Sequence, residues 1–318
     1  NGIEPSEITD KYGADILRLW VASSDYHADV RISTDILKQL SEVYRKIRNT
    51  ARYILGNISD FDPNKDMVPL DQLTELDKWA LAKFNNLIKI AKESYDEYEF
   101  HMIYHALHNF CTIDMSNFYL DVIKDRLYVE AADSKDRRAA QTAIYMILRG
   151  LDIILAPMIP FTAEEIWSYM PEDANYDADF VMFNEMPKVN EQLVDDLFMN
   201  KWERIHEVRD DVLKALEAAR NTKIIGKSLE AQVILHCNDE RYEFLTKVQK
   251  ELAPVFIVSQ VHLTKDGQGQ FNGDLEGLSI DVAKAEGQHC PRCWAYSNTV
   301  GSNVKHPDLC ARCAEIIG

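Results

Sequence analysis

Long apolar runs are missing from this 318-residue chain. No stretch reaches the roughly 18 apolar residues that suggest a membrane span, and no basic-then-apolar leader opens it. These absences predict a water-soluble, cytoplasmic protein that contacts no membrane. Positive charge is also in deficit, with 35 Lys and Arg against 52 Asp and Glu and a net charge of −17. That balance argues against a chain that binds nucleic acid over its whole surface, but it leaves room for a basic face on an acidic body. No Gly-rich phosphate loop, G-x-S-x-G elbow or H-E-x-x-H pair occurs, so no catalytic residue is assigned. Cysteine is scarce, at six residues. Cys111 and Cys237 stand alone in apolar runs, as reduced thiols do.

The other four cysteines are what the sequence offers most clearly. Cys290-Pro-Arg-Cys293 and Cys310-Ala-Arg-Cys313 form two C-x2-C knuckles separated by 16 residues. Each knuckle offers two thiolates at the separation a tetrahedral ion requires, and the intervening loop can fold back to complete a four-thiolate site. One structural zinc is expected. A rubredoxin-like iron site, two disulfides or four core thiols are the alternatives. Four thiolates close the coordination shell and leave no position for an activated water.

Apolar periodicity predicts helices over most of the remaining chain. A short one is expected at Tyr12–Trp20. A long one follows Ser33 or Thr34 as N-cap, with Ile36, Leu40, Val43, Tyr44, Ile47, Ala51, Ile54 and Leu55 on one face and Gly56 ending it. Further helices are expected at Thr74–Tyr98, Glu99–Tyr128, Ser134–Ala156 and Glu191–Arg220, and a capping box Thr162-x-x-Glu165 is expected to open another. Short connections make an antiparallel helical bundle the economical arrangement. The texture then changes: Ala231–Cys237, Val255–Leu263 and Leu278–Ala283 read as strands, with a helix near Glu240–Leu252 between the first two. The expected class is mainly α, with a helical bundle, a small α/β domain and a four-cysteine zinc finger in that order.

On the long helix, Lys38, Arg45 and Arg52 recur every seven residues, flanked by Arg48 and Asn49. They form a positive stripe about 20 Å long, opposite the apolar face. An ordinary solvated face explains such a stripe, yet Arg and Asn are also the side chains that bind phosphate and base edges. His101, His105 and His108 share helical spacing, but no carboxylate or cysteine is obviously poised with them, and Tyr104, Leu107 and Phe110 interleave. A metal there is the lesser reading beside core or surface histidines.

Several blocks together resemble the C-terminal half of bacterial-type isoleucyl-tRNA synthetases of class I. They are Gly13-Ala-Asp-Ile-Leu-Arg-Leu-Trp20, Tyr44-Arg-Lys-Ile-Arg-Asn-Thr-Ala-Arg-Tyr53, Asn117-Phe-Tyr-Leu-Asp121, Pro160-Phe-Thr-Ala-Glu-Glu-Ile-Trp167, Gly226-Lys-Ser-Leu-Glu-Ala231 and the two zinc knuckles. Valyl and leucyl enzymes share a similar bundle, and the terminal four-cysteine module favours the isoleucyl member.

The resemblance implies an entry segment over residues 1–30, an anticodon-binding bundle over 31–220, a small α/β junction over 221–285 and a zinc finger over 286–318. It implies tRNA as partner, read by Arg31, Arg45, Arg48, Asn49 and Arg52, with Arg292 and Trp294 in the first knuckle. Unstacked loop bases are read by such side chains and by aromatic platforms. A lid over the knuckle is the alternative role for Trp294. The whole enzyme, expected to be monomeric, would activate isoleucine with ATP and transfer it to tRNA. Its HIGH and KMSKS signatures and ATP site would lie upstream of Asn1, so the chain is expected to be a catalytically inactive fragment. Two other classes remain in view. The cysteine spacing also resembles the zinc finger of formamidopyrimidine-type DNA glycosylases, which need an N-terminal Pro and a β-rich start. A helical scaffold whose zinc ribbon binds a protein is the other.

Overall fold

The computed structural model describes residues 3–177 and 179–318. The chain divides into two compact units, one formed by Asn1–Leu127 with Ala132–Val194 and the other by Tyr128–Ala131 with Asp195–Gly318.

The first unit is helical. Helices α1 (Pro5–Tyr12) and α2 (Ala14–Ser23) are separated by Gly13 at φ 89°, so the expected single helix at Tyr12–Trp20 becomes two short ones. A side chain at that φ would be strained, and glycine makes the break inexpensive. Helix α3 (Thr34–Asn57) begins at Ser33, whose hydroxyl accepts from the Ile36 amide, and it buries Leu37, Leu40, Ile47, Ala51 and Ile54. Helix α4 (Glu75–Asp96) starts at a capping box made by Thr74 and Asp77.

The expected helix Glu99–Tyr128 is interrupted. It runs as α5 (Phe100–Asn109), a π-helical stretch over Phe110–Tyr119, then α6 (Leu120–Val122) and α7 (Lys124–Val129). The Cys111 carbonyl accepts from the Ser116 hydroxyl at 2.8 Å, and the Thr50 hydroxyl also reaches it. Side-chain donors that take a main-chain carbonyl in this way compete with the i→i+4 ladder.

Helix α8 (Lys135–Leu155) is buried almost all round from Ala139 onward, and α3, α4 and α9 (Pro160–Trp167) pack on it. Two ionic clamps fix this unit. Asp77, fully buried, accepts two bonds from Arg126 at 2.8 Å and one from the Tyr119 hydroxyl at 2.7 Å. Asp60, just past α3, accepts from both Arg137 terminal nitrogens at 2.7 and 2.9 Å, tying the end of α3 to the start of α8.

The expected capping box at Thr162 is corrected. Helix α9 starts at Pro160, and the Thr162 amide and hydroxyl both donate to Asp15. Proline suits a first helical position because its missing N–H would have no partner there. Glu165 is therefore released from a capping role.

The second unit opens with α10 (Asp196–Asn221), capped by Asp195. The expected start at Glu191 is instead a separate 3-10 turn, Glu191–Leu193. Strand β1 (Ala231–Cys237) buries every second residue. Helices α11 (Asp239–Lys247) and α12 (Gln249–Phe256) then cross over to β2 (Gln260–Thr264), which lies parallel to β1. Strand β3 (Phe271–Asn272) and strand β4 (Leu278–Lys284) complete a mixed sheet in the order β2-β1-β4-β3. The strand expected from Val255 starts later, because α12 continues through Phe256 and ends on Ile257 in the left-handed region. A small ribbon of β5 (Gln288–His289) and β6 (Tyr296–Ser297), then α13 (Ala311–Ile317), frame the cysteines. No helix among the described residues is long and apolar enough to cross a membrane.

Candidate nucleic-acid interface and metal centre

The knuckles fold the four cysteines onto one point. Their Sγ atoms all lie within 4.8 Å of one another, and every one of the four residues is buried. The Cys293 and Cys310 sulfurs are 3.9 Å apart. Zinc at about 2.3 Å from each sulfur has tetrahedral edges of about 3.8 Å, so the donor set fits that ion.

The first knuckle is closed by backbone bonds from the Trp294 amide to the Cys290 carbonyl at 2.8 Å and from the Cys290 amide to the Ala295 carbonyl at 2.9 Å. The second runs directly into α13, which carries Cys313. Burial raises the Cys290 thiol, but the backbone amides of Cys293, Cys310 and Arg292 overcome that and bring it down to about 6. Amides aimed at sulfur favour the thiolate that a metal needs. Val129 packs on this cluster. The four cysteines are a structural zinc site, closed to substrate. Among the described residues no other His, Cys, Asp or Glu group converges in this way, His101, His105 and His108 included.

Trp294 departs from what a turn of this kind prefers. It sits at φ 66°, in the left-handed region, where a bulky side chain is an outlier. Its ring is 54% exposed, stands edge-on to His289 at 5.4 Å and has the Lys227 ammonium 4.7 Å from its centre. Arg292, by contrast, is half-buried and donates to the Val129 carbonyl. That bond commits part of its donor fork to the protein.

On α3 the stripe is unevenly neutralised. Lys38 lies 3.6 Å from Asp35, Arg45 pairs with Glu42, and Arg48 pairs with Glu165 at 3.0 Å. Arg52 and Asn49 are exposed, and Arg52 has no ion-pair partner among the described residues. Arg31 is exposed in the loop before α3, and its carbonyl accepts from the Trp20 indole at 3.2 Å, which fixes the loop on α2. Arg31, Arg45, Arg48, Asn49 and Arg52 thus belong to the helical unit, and Arg292 and Trp294 to the zinc-bearing one. Sequence reading missed Glu165, which it took as a cap, and Lys227, whose distance in sequence from Trp294 hid their contact.

Helices with this arginine face occur in this chain together with a four-thiolate zinc ribbon. The model for the anticodon-binding domain of tRNA ligase matches residues 77–235, half of the chain, and that for a zinc finger found in FPG and IleRS matches residues 287–316. The chain belongs to the family of tRNA-ligase anticodon-binding domains.

More particularly, it is homologous along its full length to isoleucine–tRNA ligases. It is 49% identical to that of Caldanaerobacter subterraneus subsp. tengcongensis, 50% to that of Syntrophotalea carbinolica and 46% to that of Geobacter sulfurreducens, each match covering 100% of this chain. The chain spans 34% of the length of these curated relatives. Among solved structures, a ternary complex of Agrobacterium radiobacter K84 agnB2 LeuRS with tRNA and LeuAMS overlaps 61% of this chain and 22% of that one at 16% identity, with a TM-score of 0.45.

Proposed function

We propose that this chain is the tRNA-reading portion of an isoleucine–tRNA ligase and grips the anticodon stem-loop of isoleucine tRNA. The observation that carries the reading is an arginine-rich helix face together with an exposed aromatic ring. One is the α3 face of Arg45, Arg48, Asn49 and Arg52, with Arg31 before it. The other is the exposed Trp294 ring, held in an unfavourable backbone conformation beside Arg292. Strain kept at an exposed aromatic residue is what a functional site retains, and bases stack on such a ring whatever their identity.

In this reading the helical unit, which includes residues 1–30 and ends at Val194 rather than at 220, is the anticodon-binding bundle, and the second unit joins α10 to the junction over 221–285 and the zinc finger over 286–318. The whole protein is a cytoplasmic monomer that activates isoleucine with ATP and transfers it to tRNA. This chain supplies recognition, and the activating residues lie elsewhere. The zinc is structural: it sets the backbone on which Trp294 and Arg292 are displayed.

An electrophoretic shift tests the proposal. Isoleucine tRNA should be retarded at concentrations of this chain that leave a DNA duplex of equal length free. Equal retardation of both, or of neither, would contradict it.

A further inference from the structure

A cleft of about 730 Å³ opens between the last turns of α3 and helix α9. Its floor is apolar, with Leu55, Ile58 and Ile166, while Arg48, Glu165 and Tyr169 stand at its edge. The volume lies in the range of small-ligand sites. Tyr169 is 71% exposed, so the face of its ring is open to a stacking partner. The Arg48 guanidinium meets the Glu165 carboxylate at 3.0 Å, with the two side chains 42% and 52% exposed. A half-exposed pair of this kind contributes little to folding, so its donors and acceptors remain available for exchange with a ligand.

We propose that this cleft receives one unstacked guanine of the bound RNA, a reading that rests on the tRNA-binding function above and assigns Glu165 and Tyr169 roles in it. The base stacks on Tyr169 and turns its Watson–Crick edge to the Arg48–Glu165 pair. A carboxylate accepts through both oxygens. Guanine meets it with two adjacent donors, the ring N1–H and the exocyclic N2 amino group, while O6, next to N1, accepts from Arg48. Adenine and cytosine each present an amino group beside a bare ring nitrogen, whose lone pair faces the second carboxylate oxygen. Uracil has one N–H flanked by two carbonyls. Arg52, at the same rim and without a carboxylate partner among the described residues, is left to meet the phosphate. Glu165 is free for this task because α9 begins at Pro160 and Thr162 donates to Asp15.

The test uses the full chain and the anticodon-arm hairpin of an isoleucine tRNA, with each loop guanosine replaced in turn by inosine, which lacks only the N2 amino group. Fluorescence anisotropy should show one position at which inosine weakens binding about tenfold, the loss expected for one discriminating contact. That penalty should vanish in Glu165→Gln. Tyr169→Ala should weaken binding of the guanosine and inosine hairpins alike, and Tyr169→Phe should restore it, with the helical circular dichroism of each variant unchanged. Hairpin binding that ignores inosine at every position, or a penalty that persists in Glu165→Gln, would overturn the guanine pocket and leave the tRNA-reading function standing. Hairpins that do not bind at all would remove both.

Discussion

Replacing Trp294 by glycine separates a reading role from a packing role, because only the first predicts lost RNA affinity in a variant that stays folded and metal-loaded. An L-residue in the left-handed region costs about 1–2 kcal/mol, and Trp294 sits there at φ 66°. Glycine removes that cost. Against it stand the edge contact with His289 and the Lys227 ammonium on the ring. These contacts contribute about 0.5–1.5 and 0.5–1 kcal/mol respectively at an exposed site. Burial of the other half of the ring adds to the contacts, so Trp294→Gly should hold its zinc and lose only about 1–3 kcal/mol of stability. Binding should respond differently: a lost base–aromatic stack costs about 1–3 kcal/mol, or roughly five- to 150-fold in dissociation constant. Native mass spectrometry for zinc, thermal unfolding and anisotropy with isoleucine tRNA measure the three quantities. A variant that keeps its metal and its full RNA affinity would show Trp294 to be only a cover for the knuckle.

Chelation of the zinc should unfold residues 286–318 selectively, since binding to four thiolates supplies about 10–16 kcal/mol of folding free energy at neutral pH. Backbone NMR should then lose the dispersed signals of that segment and retain those of α3 and α8; unchanged spectra on chelation would count against the site. Acid should weaken the helical unit. Asp60 is held down to about 2 by its bonds from Arg137, against an ordinary value of 3.8. Its stabilisation is therefore complete above about pH 4 and is lost as pH falls from there through 2. Urea midpoints measured between pH 6 and 3 should decline toward the acid end, with a smaller decline in Asp60→Asn; identical slopes would contradict this assignment.

Much of this organisation is legible in the residues themselves. Helix α3 can be read because Ser33 caps it and its apolar face repeats without interruption, and the metal site because C-x2-C spacing has few other physical uses. What escaped reading was decided by contacts distant in sequence. Asp15 claims Thr162 and so moves the start of α9 to Pro160. Thr50 of α3 meets Ser116 at 3.1 Å within the π-helical stretch, which periodicity along one segment cannot register. Val255 and Phe256 have strand-like side chains, yet both are buried in the last turn of α12. The proposed RNA-binding face shows the same limit. Arginines at helical spacing suggest an RNA face, but that Arg48 is paired while Arg52 is not depends on where α9 places Glu165.

Reading of the anticodon loop by this chain can be measured as the affinity of the intact chain for isoleucine tRNA against that for the same tRNA carrying the anticodon loop of another species, at one fixed salt concentration. The exchange should weaken binding by about ten- to 100-fold, the loss of one or two discriminating contacts. Equal affinity for the two tRNAs would show that the arginines of α3 and Trp294 hold RNA without reading it.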